Sequence, residues 1–177
     1  MKKIVLVCGG IAGLITISWA IVSTNFLEKG VSYNTRLAMG YVTMILGFSM
    51  IYVGVKRFRD TENGGIITFG GAMKVASLIT LVASTIYVVI WMIDYYFFYP
   101  NFGKEMLEAT HAQLVAEGKT AAEIQQKMAD MAKFMEMYKN PVVNALMTYT
   151  EIAPVGIVIS LIVSLILKRR QAPVINA

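Results

Sequence analysis

Charge and chemically reactive side chains are what this sequence has least of. Only 15% of its 177 residues are charged, against 56% hydrophobic. That balance lies far from the soluble average and points to an integral membrane protein. There is one cysteine and one histidine. A lone Cys8 excludes a disulfide framework or a thiolate metal site within one chain. It stands in an apolar run and reads as a packing residue. Val7 precedes it where a lipoprotein signal would need a small residue. His111 lies outside every long apolar block, which excludes a histidine metal centre or serine–histidine catalysis inside a membrane. No pair of acids has the setting of a glycosidase, and no alternating strand pattern suggests a hydrolase. The expectation is therefore no cofactor and no bound metal, with a membrane enzyme the least supported class.

What is present in quantity is long apolar sequence, with mean hydropathy +0.61. The net charge of +5 would suit nucleic acid in a soluble chain. Here the basic residues form short clusters at the ends of apolar blocks, as orientation signals do. Anionic lipid headgroups are their natural partner, and nucleic acid is not expected.

The most informative block runs from Lys74 to Phe98, with 19 uncharged residues between Lys74 and Asp94. About 20 residues suffice to cross a hydrocarbon core as a helix. At ~100° per residue, Ser77, Thr80, Ser84, Tyr87, Trp91 and Asp94 share one stripe. A membrane helix with a polar stripe has something other than lipid to face. Trp91, Tyr95, Tyr96 and Tyr99 form an aromatic belt at one end, and Pro100 marks the stop. Lys74 reads as a cation snorkelling to the opposite surface.

Three further spans follow from the same reasoning, giving 4–26, 37–55, 73–98 and 142–167. The first opens after Lys2 and Lys3. Ser18-Trp19-Ala20 would pass as a cleavage site, but the apolar run exceeds the core of a secretory signal, so an uncleaved span is expected. Gly9 and Gly13, and then Gly40, Gly47 and Gly54, make smooth faces suited to close helix packing. A polar loop, Glu28–Arg36, joins the first two spans, and Lys56-Arg57-Phe58-Arg59 closes the second. Asn63-Gly64-Gly65 signals a turn. Gly65 to Lys74 superficially resembles a phosphate-binding loop, but Gly71 and Ala72 stand where lysine and serine or threonine are required.

Residues 101–140 read as a polar helical insert. Asn101–Glu117 is one arm, Gly118 the punctuation, and Thr120-Ala-Ala-Glu123 a capping box opening the second. Ile124, Met128, Met131, Met135 and Tyr138 recur at four-three spacing, a seam for Met106, Leu107 and Leu114 of the first arm or for a partner. The expected fold is an all-α integral membrane protein with four transmembrane helices and a helical hairpin between the third and fourth.

With the amino terminus in the cytoplasm, Lys2, Lys3, Lys56, Arg57, Arg59, Lys168, Arg169 and Arg170 all fall inside. The insert, five lysines against six acids, falls outside. The positive-inside rule thus favours cytoplasmic termini and an inner-membrane location.

One residue stands apart. Glu151 is nine residues into the fourth span, roughly 13 Å deep at ~1.5 Å per residue. An acid there is costly and should face the bundle with a partner, or be protonated. Asn144 and Thr148 share its face, and Pro154 removes the donor that would satisfy the Thr150 carbonyl. If the stripe of the third span faces Glu151, then Tyr87, Trp91, Asp94, Asn144, Thr148 and Glu151 line one cavity, with Asp94 at its wet edge. Otherwise Glu151 simply accepts a hydrogen bond from Ser84 or Tyr87.

Three stretches carry a resemblance: Asn63 to Gly70 leading into Lys74-Val-Ala-Ser-Leu-Ile-Thr, Met137-Tyr-Lys-Asn-Pro141, and Glu151-Ile-Ala-Pro-Val-Gly-Ile-Val-Ile-Ser-Leu-Ile162. Together they resemble a family of small bacterial inner-membrane proteins grouped as domain of unknown function number forty-one ninety-nine. The resemblance implies four spans with a helical insert before the last and counts against cleavage of the first. It implies no activity, cofactor or catalytic residue. The leading function is a structural or accessory component whose outer helical hairpin and small-residue faces bind itself or another membrane protein; the alternative is a small proton- or cation-linked carrier using Glu151.

Overall fold

A computed structural model describes residues 1–25 and 33–169. Most of the expected Glu28–Arg36 loop, Phe26 at the end of the first span, Arg170 of the last basic cluster and the tail with Pro173 lie outside the described residues. The described chain is helical throughout: α1 (Lys2–Asn25), α2 (Tyr33–Glu62), α3 (Phe69–Ile93), α4 (Phe102–Ala116), α5 (Ala121–Tyr138) and α6 (Pro141–Leu167). A π-helical turn, Asp94–Phe98, extends α3. Among the described residues, α1, α2, α3 with its π turn, and α6 are long and apolar enough to cross a membrane. We therefore read the chain as a membrane protein.

The helix ends follow local chemistry. Thr68 caps α3, its hydroxyl accepting from the Gly71 amide at 3.1 Å. Asn140 caps α6 by accepting from the Val142 and Val143 amides, with Pro141 in the first turn, where it costs no hydrogen bond. Thr120 and Glu123 complete the reciprocal capping box of α5. Gly64 and Gly65 have φ of +62° and +78°, the left-handed turn after Asn63. Two limits differ from the hydropathy reading. Helix α2 runs through Lys56-Arg57-Phe58-Arg59 to Glu62, because these residues end an apolar slab without disfavouring helix. Helix α6 passes unbroken through Glu151 and Pro154.

Helix α3 sits at the centre and packs on α1, α2 and α6. Its polar stripe turns inward: Thr80, Ser84, Tyr87, Trp91 and Asp94 are all buried. The glycines set the approach distances. A Cβ on Gly9 would stand 2.7 Å from the Val82 side chain, and one on Gly47 would stand 2.8 Å from the Ala12 carbonyl. Gly13 is filled by Ala83 and Ile86 of α3, and Gly54 by Ile79 and Cys8. The smooth faces are thus consumed within the chain. Gly156, which the sequence reading passed over, seats α6 on Thr80 and Phe48. Beside it Thr80 bonds the Ser160 hydroxyl at 2.9 Å and donates to the Gly156 carbonyl at 3.3 Å.

One end of the bundle gathers Met1, whose amino group pairs with Glu62, and the α2–α3 turn. There Ile67 and Arg169 exchange two backbone hydrogen bonds, at 3.1 and 2.8 Å. Lys56, Arg57, Arg59 and Lys168 lie at the same end. Helices α4 and α5 occupy the other. The chain reverses between them at Gly118 (φ +69°), and Leu114, Met135 and Tyr138 are buried.

Candidate functional site

Helices α2 and α6 run in the same direction and touch where Phe48 meets Gly156. Between that contact and the α4–α5 end lies a cleft of about 460 Å³. Gly40, Tyr41 and Met44 form the α2 wall, and Met147, Thr148, Thr150 and Glu151 the α6 wall. Thr16 and Trp19 of α1, with Tyr87 and Trp91 of α3, make the back. Phe102 of α4 and Phe134 and Tyr138 of α5 close the end. Both tryptophans of the chain therefore lie on this cleft.

The end closure is knit by aromatic groups. The Trp91 indole donates to the Tyr138 hydroxyl at 2.9 Å, and that hydroxyl lies 3.4 Å from Thr148 Oγ1. Phe102 stands edge-on to Trp91 with ring centroids 5.4 Å apart, and Tyr95 stands edge-on to Tyr138 at the same separation. Such pairs each add roughly 0.5–1.5 kcal/mol beyond burial. Nearby, Trp19 donates to the Arg36 carbonyl at 3.0 Å, and the Arg36 guanidinium donates to the Ser23 carbonyl at 3.4 Å. Just past the π turn, burial pushes the Tyr99 hydroxyl well above its ordinary range, and its 2.5 Å bond to the Glu105 carboxylate adds to this.

Among the described residues, Glu151 is the only acid on the cleft wall. At ~1.5 Å per residue it lies about 15 Å along α6 from Pro141. Its side chain is exposed, and it lines the cleft. Among the described residues it has neither a hydrogen-bond donor nor an ion-pair partner. The Tyr87 and Tyr138 hydroxyls lie within electrostatic range of it. The neighbouring hydroxyls are turned back on their own helices: Thr148 donates to the Asn144 carbonyl at 2.8 Å, and Thr16 bonds the Ala12 and Gly13 carbonyls.

The structure brings Tyr87, Trp91, Thr148 and Glu151 to one cleft and leaves Ser84, Asp94 and Asn144 out of its lining. The wet position expected for Asp94 is corrected. It is 5% exposed, because it continues the polar stripe that α3 turns into the bundle. No bond joins Ser84 to Glu151. The Ser84 hydroxyl and the Asn144 side-chain nitrogen are buried without a hydrogen-bond partner among the described residues. The sequence reading missed Thr16, Trp19 and Tyr41. Thr16 and Trp19, three apart in an otherwise apolar run, were the available signal for the first two. Among the described residues, no group of three His, Cys, Asp or Glu comes together.

The family described as "Protein of unknown function (DUF4199)" matches residues 8–169. The chain belongs to this family. Every residue named on the cleft wall lies inside the matched range, so the cleft is built entirely from the DUF4199 region. No curated protein and no solved structure matches the chain.

Proposed function

We propose that this DUF4199 protein binds a small ligand within the membrane, as a carrier or binding component, with Glu151 as the polar anchor of its cleft. The observation that carries this reading is an acid deep along a membrane-length helix, facing an open cleft instead of a protein partner. Placing such a group at mid-helix costs about 2.5–3.5 kcal/mol on insertion scales, which a purely structural residue does not repay. In this reading the protein sits in a bacterial inner membrane with both termini cytoplasmic. Residues 101–140 then form an extracytoplasmic hairpin over the cleft, supported by the basic residues gathered at the opposite end.

The competing reading is a structural or accessory component that binds a second copy or another membrane protein. Its support came from the outer helical hairpin and the small-residue faces. With Gly9, Gly13, Gly47 and Gly54 filled by the chain's own helices, that support is weaker than the support for the cleft.

Thiol accessibility tests the proposal. Cys8 is buried, so a Glu151→Cys variant carries one reactive thiol. A membrane-permeant maleimide added to intact membranes should label it, while the unsubstituted protein stays unlabelled. An introduced thiol that reacts only after denaturation would exclude an open cleft at this position.

A further inference from the structure

We propose that the ligand of this cleft is a lipophilic organic cation, an alkylammonium whose head lies against Glu151 and whose tail leaves sideways between α2 and α6. The inference rests on the cleft reading above and assigns the chemical class of its occupant. Charge comes first. Glu151 has no cationic partner among the described residues, and a carboxylate in an apolar slab calls for a counter-charge. Next to it, Pro154 has no amide to give the Thr150 carbonyl, so a second acceptor stands in the same stretch of α6. Arg36 also lines the cleft, but its guanidinium donates to the Ser23 carbonyl at 3.4 Å and forms no ion pair with Glu151.

The remaining lining separates an organic cation from a metal ion. A hard divalent cation takes about six or more oxygen ligands. Here the Thr16 and Thr148 hydroxyls are already committed to carbonyls of their own helices. What the cleft shares with the carboxylate instead is aromatic: Trp19, Tyr41, Tyr87 and Trp91 line the same space. Ring faces attract alkylated ammonium groups by about 2 kcal/mol or more when water is excluded. The apolar part of the ligand also has a route. Leu37, Tyr41 and Met147 are 43%, 47% and 41% exposed along the two walls, while Phe102 and Tyr138 close the end. The open direction is therefore the flank of the bundle, where an amphiphile can slide in from the lipid.

The test uses the full chain in nanodiscs of zwitterionic lipid and reads the emission of Trp19 and Trp91. Decyltrimethylammonium, which cannot lose its charge, is titrated beside neutral decyl maltoside and anionic decyl sulfate. A saturable change with the ammonium alone, weakened about tenfold or more by Glu151→Gln and largely restored by Glu151→Asp, supports the assignment. Tyr41→Leu, on the exposed rim where folding is spared, should weaken it several-fold through loss of the ring face. Equal saturable binding of the neutral or anionic amphiphile, indifferent to Glu151→Gln, would overturn the cationic class while leaving a ligand cleft. No saturable response to any of the three would overturn both.

Discussion

The Trp91 indole of α3 donates to the Tyr138 hydroxyl of α5 at 2.9 Å, a side-chain bond that fastens the polar helical pair to the apolar bundle. Tyr138→Phe removes the acceptor and leaves a buried indole N–H unanswered, a loss of about 1–3 kcal/mol. The expected result is a lower thermal midpoint in detergent and a shift in tryptophan emission. Tyr96→Phe removes a bond to the Lys139 carbonyl at an exposed position and should change the midpoint far less.

Glycine packing gives a position-specific prediction. Gly9→Leu and Gly54→Leu drive a side chain into α3, overpacking that costs about 1–3 kcal/mol or more. Gly10→Ala should be harmless, since nothing stands within 4 Å of an added Cβ. Yield of monodisperse protein after solubilisation separates these. A Gly10→Ala variant as defective as Gly9→Leu would mean that this face meets another chain.

The α3–α6 contact is tied by Thr80 and Ser160. Thr80→Val keeps the shape and removes the bond, with an expected cost near ~0.6 kcal/mol, the average for hydrogen bonds between membrane helices. Pairing it with Ser160→Ala in a double-mutant cycle isolates the bond itself, and a coupling of zero would place the stabilisation in packing alone.

The start of α5 should be sensitive to acid. Hydrogen bonds from the Thr120 hydroxyl and amide hold the Glu123 carboxyl below its ordinary range. A group depressed on folding contributes stability above its unfolded pKa of ~4.3 and loses it as pH falls through the lower folded value. Amide exchange over the first turn of α5 should therefore accelerate below about pH 4 after correction for intrinsic rates. Glu123→Gln should remove most of that pH dependence.

How far the sequence carries can be read from α3. Its polar residues recur with the helical period, so the inward face of Thr80, Ser84, Tyr87 and Trp91 is legible without any knowledge of neighbours. Glu151 is legible for a different reason: an acid among apolar residues is too costly to be lipid-facing by chance. What could not be read is register between helices. The Thr80–Ser160 pairing fixes how far α6 slides along α3, and α6 is turned so that Thr148, Ile152 and Gly156 are buried while Glu151 lines the cleft without a bond to Ser84. The contribution of Tyr41 depends on α2 folding back across the same face, a tertiary fact with no local signature, and the spacing of Thr16 and Trp19 marks a face of α1 without saying what that face meets. The π turn at Asp94–Phe98 is likewise a small change of winding that periodicity alone does not announce.

At the end where the basic residues collect, Ile67 and Arg169 clasp main chain to main chain, while at the opposite end α2 and α6 stand apart. A pair of tongs riveted at the handle has the same mechanics. Axial slip of the last helix is resisted by the rivet, and what compliance the bundle retains goes into the width of the jaws.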